Sequence, residues 1–376
     1  MHDGLRLGIR LFLFNRRRFA IAVAAVAVAA MIMFLEYGFL SGVLEAQSNI
    51  ADLMRVDLVA MDSLRQNMHR WDSMRAVRLD QIAAVPGVAQ VIPIYEDWAG
   101  LHDDDDRRTR RIMVFAIPPD QIPFAIGDTS TLSRWLKMPH GFLFDRLARP
   151  MFGDLIPGRG VDIDNTKQDL LGYVHVGSDL VVDGVAVMSI GDWLARHPNA
   201  QPIMGGIRVS PGFDPLRVRQ EILSRIPYGD TIVMTPAELR SRENSFTLDY
   251  VPIGVIFAVG MVAGLVIGAV TCYQLLFNEV LDRLAQFATL KAMGFSNAYL
   301  CVVVAGQALF LSLIGFAAGF ALTEVTDAYV SGRTMLPIHP DPVALAIIFP
   351  LTVGMCIVAG LAAMGRVIST DPAELY

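Results

Sequence analysis

The sequence predicts an α-helical membrane protein: four transmembrane helices, with an α+β extracytoplasmic domain between the first and the second. Two observations carry this. Apolar residues make up 53% of the 376-residue chain and charged residues only 18%, at a mean hydropathy of +0.45, outside the range of ordinary soluble domains. The apolar residues are also segregated into windows without any charge, whereas residues 45–249 hold most of the prolines and charges.

The first window runs from residue 19 to 35, is interrupted by Glu36, and continues to residue 44; the others cover residues 250–278, 292–323 and 342–365. A spanning helix needs about 20 mostly apolar residues, so each suffices, the first with Glu36 near an interface. No small-residue cleavage site follows the first window, so it reads as a retained helix and not a removed signal. Arg6, Arg10, Arg16, Arg17 and Arg18 precede it and hold the N-terminus in the cytoplasm. Four crossings return the C-terminus there, with Arg366 just past the last window.

The expected order is therefore a cytoplasmic N-terminus (1–18), a first span (19–44), the extracytoplasmic domain with its stalks (45–249) and a second span (250–278). A cytoplasmic coupling helix (279–297), a third span (298–323), an outer loop (324–341), a fourth span (342–365) and a cytoplasmic C-terminus (366–376) follow.

Within the outer segment, residues 79–85 have the period of a short helix ended by Pro86-Gly87, and residues 88–98 alternate like a strand. Residues 111–117 and 180–188 read as further strands, 215–226 as a helix and 231–234 as a strand. Thr235 and Pro236 then open another helix as its cap and first residue. A second insertion between residues 118 and 200 fits the same pattern. Residues 44–70 and 238–250 both read as helix, either a paired stalk continuing the spans or a pair of linkers.

Net charge is −6 with scattered basic residues, which excludes nucleic acid as a main partner. Cys272, Cys301 and Cys356 all lie in apolar windows, so no disulfide framework is expected. The run HDDDDRRTRR, residues 102–111, fits either a divalent-cation site or a solvated hairpin tip whose two charge blocks neutralise each other. His339 reads as a loop residue. Glu36 is either an interfacial residue or an intramembrane functional carboxylate. There is no GxxxxGK[ST], HExxH, CxxC or GxSxG pattern, so no catalytic residue, metal ligand or nucleotide cofactor is assigned to this chain.

Gly260, Gly264 and Gly268 fall four apart on the second span and Gly315 and Gly319 on the third. Such faces let helix backbones approach closely. With only four spans available, the first of these faces is expected to pack a homodimer, intrachain packing being the alternative.

The connection between the second and third spans mixes charged and apolar residues at helical spacing. At about 100° per residue, Glu279, Asp282, Arg283 and Gln286 share one side, and Val280, Leu281, Leu284, Phe287 and Ala288 the other. Leu290 and Met293 then rotate onto the polar side, which marks a contact surface for a partner. Gly294 suits a left-handed helix end and Ser296 a cap for the third span.

ATLKAMGFSNAYL, residues 288–300, resembles the segment after the second span in MacB/FtsX-like ABC permeases, the type VII transporters. It is most similar to the DevC-type exporter subunits. The likeness rests on Tyr273, Gln274, Leu275, Val280, Asp282, Leu284, Ala285, Ala288, Thr289, Leu290, Lys291, Ala292, Met293, Gly294, Ser296, Tyr299 and Leu300. VPGV at 85–88, TPAEL at 235–239 and DPAELY at 371–376 resemble further family segments. Gln286 and Phe287 depart from the family's acidic residue and Tyr.

The resemblance implies a non-catalytic permease subunit in the inner membrane. ATP would be bound by a separate cytoplasmic ABC ATPase docked on Glu279, Asp282, Arg283, Gln286, Leu290, Lys291, Met293 and Phe295. The outer domain would pass motion to a membrane-fusion adaptor, with an outer-membrane duct beyond it, to export a lipid, glycolipid or other amphiphile. The alternative is an FtsX-like signalling subunit that activates an envelope enzyme.

Overall fold

The computed structural model describes residues 16–68, 70, 72–102, 108–153, 155–179, 181–226, 229–334 and 341–369. His339, Asp103 to Arg107, Arg6, Arg10 and the DPAELY segment lie outside the described residues. The chain divides into two compact units: residues 1–42, 253–333 and 338–376 form one, and residues 43–252 with 334–337 form the other.

In the first unit, four helices among the described residues are long and apolar enough to cross a membrane. They are α1 (Arg16–Leu53), α7 (Ile253–Asp282), α9 (Asn297–Thr334) and α10 (Pro342–Ser369). Small residues set how closely they pack. A Cβ at Gly319 of α9 would stand 2.7 Å from both the Ala27 carbonyl and the Ala30 methyl of α1. Phe34 of α1 packs against Phe316 and Phe320 of α9, at centroid distances of 5.5 and 5.7 Å. A buried cluster that includes Ala22, Val26, Cys272, Leu276, Leu311 and Cys356 joins all four helices.

The second unit holds nine strands among the described residues, in the order β3-β7-β4-β6-β5-β2-β8-β1-β9. They are β1 (Leu58–Asp62), β2 (Val88–His102), β3 (Thr109–Ile117), β4 (Gly141–Asp145), β5 (Gly160–Ile163), β6 (Thr166–Val174), β7 (Val185–Ser189), β8 (Met204–Val209) and β9 (Thr231–Met234). The helices are α2 (Ala76–Ala83), α3 (Thr129–Leu136), α4 (Ile190–Arg196), α5 (Pro215–Arg225) and α6 (Pro236–Tyr250).

The 15-residue strand β2 is shared between two layers. Its first half pairs with β8, which pairs with β1, which pairs with β9, all antiparallel. With α2 after β1 and α5 after β8, this is the βαββαβ order of a ferredoxin-like unit. Helices α2 and α5 cover one face through Leu79, Ile82, Val218 and Ile222, against Leu58, Ala60, Ile207 and Val233. The second half of β2 pairs with β3 and β5, and the pairings β3–β7, β7–β4, β4–β6 and β6–β5 close a ring of six strands. That ring is an insertion between β2 and β8, built around Leu101, Ile112, Phe142, Ile163, Leu170 and Met188.

Several boundaries differ from the sequence expectation. The incoming stalk was expected to stay helical to residue 70; α1 ends at Leu53 and β1 begins at Leu58. Leu58, Val59, Ala60 and Met61 are consecutive and all buried, which suits a strand held between two neighbours and no face of a helix. The strand expected over residues 180–188 starts only at Val185, and α9 continues past residue 323 to Thr334. β2 and β3 pair as far as His102 and Thr109, and the aspartates of the 102–111 run, Asp103 to Asp106, lie outside the described residues.

The outgoing stalk is α6. Thr235 caps it by accepting from the Glu238 backbone N–H at 3.2 Å, while the Glu238 carboxylate accepts from the Thr235 N–H at 2.8 Å, a reciprocal cap. Within the second unit, Arg240 of α6 reaches Asp52 near the end of α1 at 3.3 Å.

Candidate coupling site between the second and third apolar helices

The second apolar helix does not stop where the charged segment begins. It runs to Asp282 and breaks at Arg283, whose φ of −108° and ψ of 16° leave the helical region. A separate helix, α8 (Leu284–Ala292), follows. Its end is fixed by two backbone bonds: Gly294 N–H to the Lys291 carbonyl at 3.0 Å and Phe295 N–H to the Leu290 carbonyl at 3.1 Å. With Gly294 at φ +92°, these are the two bonds of a Schellman termination, which a residue without Cβ adopts at least cost. Ser296 Oγ then accepts from the Tyr299 N–H at 3.3 Å and caps α9. The turn expected at Gly294 and the cap expected at Ser296 are both present.

Burial divides the eight residues assigned to this surface into two groups. Gln286, Lys291, Met293 and Phe295 are exposed, Met293 by 63% and Phe295 by 41%. Phe295 leans on Tyr299, centroids 4.7 Å apart. The patch therefore combines one cation with two large apolar side chains on a tightly terminated turn. Asp282 is also exposed but is already bound to Arg18 at the start of α1.

Glu279, Arg283 and Leu290 depart from the expectation. Glu279 and Arg283 form an ion pair at 2.5 Å with side chains only 10% and 12% exposed. Because α7 continues past residue 279, Glu279 keeps the phase of that helix's inner face, and Arg283 four residues on neutralises it there. Leu290 is half-buried against the cluster of Val280, Phe287, Leu300, Val303 and Met364. The break at Arg283 resets the helical phase for Leu290 on α8, whereas Glu279, ahead of the break, belongs to the inner face of α7 and holds Arg283 beside it. Sequence reasoning also missed Arg18; its partner lies 264 residues away, so no local spacing announces the pair.

The glycine face lies elsewhere than the expected dimer contact. Gly264 and Gly268 are buried inside the chain. A Cβ at Gly264 would stand 3.0 Å from Ile32 Cγ2, one at Gly268 2.7 Å from the Ala29 Cβ, and one at Gly260 would run into the Glu36 carboxylate. All three thus admit α1 of the same chain, and a second copy would need a different surface. Glu36 is half-buried at that contact.

No curated protein matches the chain. Among solved structures, the chain is similar to the extracellular domain of the noncanonic ABC-type transporter YknZ from Gram-positive bacteria. That likeness has 12% identity and a TM-score of 0.34, over 48% of this chain and 99% of that one. The periplasmic region of MacB from Actinobacillus actinomycetemcomitans is similar at 11% identity and a TM-score of 0.36, over 51% of this chain and 94% of that one. Residues 258–372, which take in most of α7 and all of α8, α9 and α10, match the FtsX-like permease C-terminal family.

Proposed function

We propose that the chain is the permease subunit of an ABC-type export complex, one that transmits motion and hydrolyses no ATP itself. The observation that carries this reading is the exposed Lys291, Met293 and Phe295 on a rigid turn inside the FtsX-like region. Exposed apolar residues clustered at a polar surface mark a docking surface, and the turn is held by two backbone bonds and followed directly by the Ser296 cap of α9.

A separate ABC ATPase docks on this patch from the cytoplasm, with both termini of the permease on the same side of the inner membrane. ATP is bound by that partner. Displacement of α8 moves α7, and α1 and α6 carry the movement to the outer domain, where a membrane-fusion adaptor and an outer-membrane duct receive it. The cargo is a lipid, glycolipid or other amphiphile, as in the DevC-type complexes that residues 288–300 resemble.

Co-expression with the products of the neighbouring genes tests this. The ATPase should co-purify with the wild-type chain, and both Lys291→Glu and Met293→Asp should abolish capture while the chain still reaches the membrane. Undiminished capture by both variants refutes the docking assignment. Recovery of a cell-wall hydrolase in place of an adaptor would replace export by envelope signalling.

A further inference from the structure

Between the first turns of α1 and the last turns of α7 lies a pocket of about 300 Å³ that the coupling reading does not use. Its volume is at the lower end of the range of about 300–1,000 Å³ for ligand sites. Arg18 stands at the start of the first apolar span and Asp282 closes the second. The pocket therefore sits at the depth where an apolar helix meets the lipid headgroups.

Most of its lining is accessible. Arg18 and Asp282 keep 55% and 52% of their side chains exposed, and Leu281 is 45% exposed. Asn278 is exposed, and Phe19 and Leu275 are half-buried. Phe19 is fixed by stacking on Phe310 of α9, centroids 5.9 Å apart, and the small side chain of Ala22 leaves the recess beside it. Glu279 also lines the pocket, but its carboxylate is neutralised by Arg283 at 2.5 Å. The charges presented to an occupant are those of Arg18 and Asp282.

One cation and one anion beside an apolar flank define the chemistry of that occupant. Arg18 donates to Asp282, and capacity remains on both sides, since a guanidinium has about five N–H donors and a carboxylate about four acceptor positions. A headgroup that carries a phosphate and a primary ammonium can join this pair without breaking it. The phosphate accepts from Arg18, and the ammonium donates to Asp282 and to the side-chain oxygen of Asn278. A glycerol headgroup brings no cation for Asp282, and a choline headgroup has no N–H to donate.

We propose that this pocket binds the headgroup of an aminophospholipid of the phosphatidylethanolamine type, with the first acyl carbons on Phe19, Leu275 and Leu281. The inference requires that α1 and α7 cross a bilayer and is independent of the export reading.

The test uses the full chain in phosphatidylcholine nanodiscs that contain a trace of phosphatidylethanolamine with a diazirine near the carboxyl end of one acyl chain. Labelled peptides are mapped by mass spectrometry. Labelling of residues 17–22 and 275–282 should exceed that at Val262 and Val266, which are exposed on α7 and report bulk lipid. Added phosphatidylethanolamine should displace it, and added phosphatidylglycerol should not. Asp282→Asn should reduce the preference for the ethanolamine lipid about fivefold, the equivalent of about 1 kcal/mol for a half-exposed charge pair. Arg18→Gln should lower the labelling by a similar factor and leave the order of the lipids unchanged. Unchanged labelling at Val262 and Val266 shows that each variant is folded in the bilayer. Labelling at the pocket no stronger than at those two residues, equal displacement by both lipids, or an unaltered preference in Asp282→Asn overturns the proposal.

Discussion

Arg65 offers a stringent test of how the outgoing stalk is held. It sits in the turn after β1, is fully buried, and donates to the carbonyls of Asp72 at 2.8 Å and of Met68. Its guanidinium lies 3.5 Å from Glu96 of β2. Glu243 of α6, also buried, accepts from the Met68 N–H at 3.2 Å, and Arg242 donates to the Arg65 carbonyl at 2.6 Å. Burial pulls the Arg65 guanidinium below its ordinary pKa, and Glu96, Glu243 and Asp72 pull it back in that order. The charge is therefore tolerated inside only because the acids surround it.

Arg65→Met keeps much of the volume and removes the charge, leaving two carbonyls and two carboxylates without it. Breaking a buried charge cluster from one side costs about 3–5 kcal/mol. For a unit of some 150–250 residues, each kcal/mol shifts Tm by about 2–4 °C, so a fall of about 6–20 °C is expected. All four tryptophans, Trp71, Trp98, Trp135 and Trp193, lie in the second unit. Intrinsic fluorescence during heating in nanodiscs therefore reads that unit selectively. Glu243→Gln should also destabilise, and the double variant should lose less than the sum of the two by about 1 kcal/mol, within the range for coupled neighbours. A fall below about 2 °C for Arg65→Met, or strict additivity, would refute a shared buried network.

Three further expectations follow from separate contacts. Gly268→Val should drive a side chain into Ala29 and Met355 and lower the yield of monodisperse protein in size-exclusion chromatography, because the residue packs within the chain; unchanged folding with loss of a dimer would restore the interchain role. Gly294→Ala meets no atoms within 4 Å but must hold φ +92°. The left-handed penalty of about 1–2 kcal/mol should then appear as faster amide exchange over residues 284–295. Asp128 caps α3 by accepting from the Thr131 N–H at 2.9 Å, and hydrogen bonds from Ser130 and Thr131 lower its pKa to about 2. Its folded value is depressed, so the cap's contribution is complete above about pH 4 and disappears as pH falls toward 2. Wild type and Asp128→Ala should therefore converge in Tm over that interval and stay a constant distance apart above it.

The legible part of the chain was whatever short-range chemistry controls. Long charge-free windows announced the apolar helices, because a hydrocarbon solvent demands length and apolarity from each segment by itself. Thr235, Pro236, Gly294 and Ser296 were readable as helix ends because a cap acts over three or four residues. Of the two residues that the helical phase turned toward water, Met293 is exposed and Leu290 half-buried.

What the sequence could not decide depends on partners distant along the chain. The pattern at Gly260, Gly264 and Gly268 says only that some backbone comes close. Ile32, Ala29 and Glu36 of α1 show that the backbone belongs to this chain. A run such as Leu58 to Met61 is compatible with helix or strand, and the pairing of β1 with β8 and β9 settles it. Glu279 and Arg283 look like an exposed polar face until the continuation of α7 turns them inward. The sequence by itself determined the solvent each segment requires and where helices end, both being properties of neighbouring residues. Only the tertiary structure decided which faces meet and how Arg65 is neutralised, since those energies arise between residues that the chain brings together only by folding.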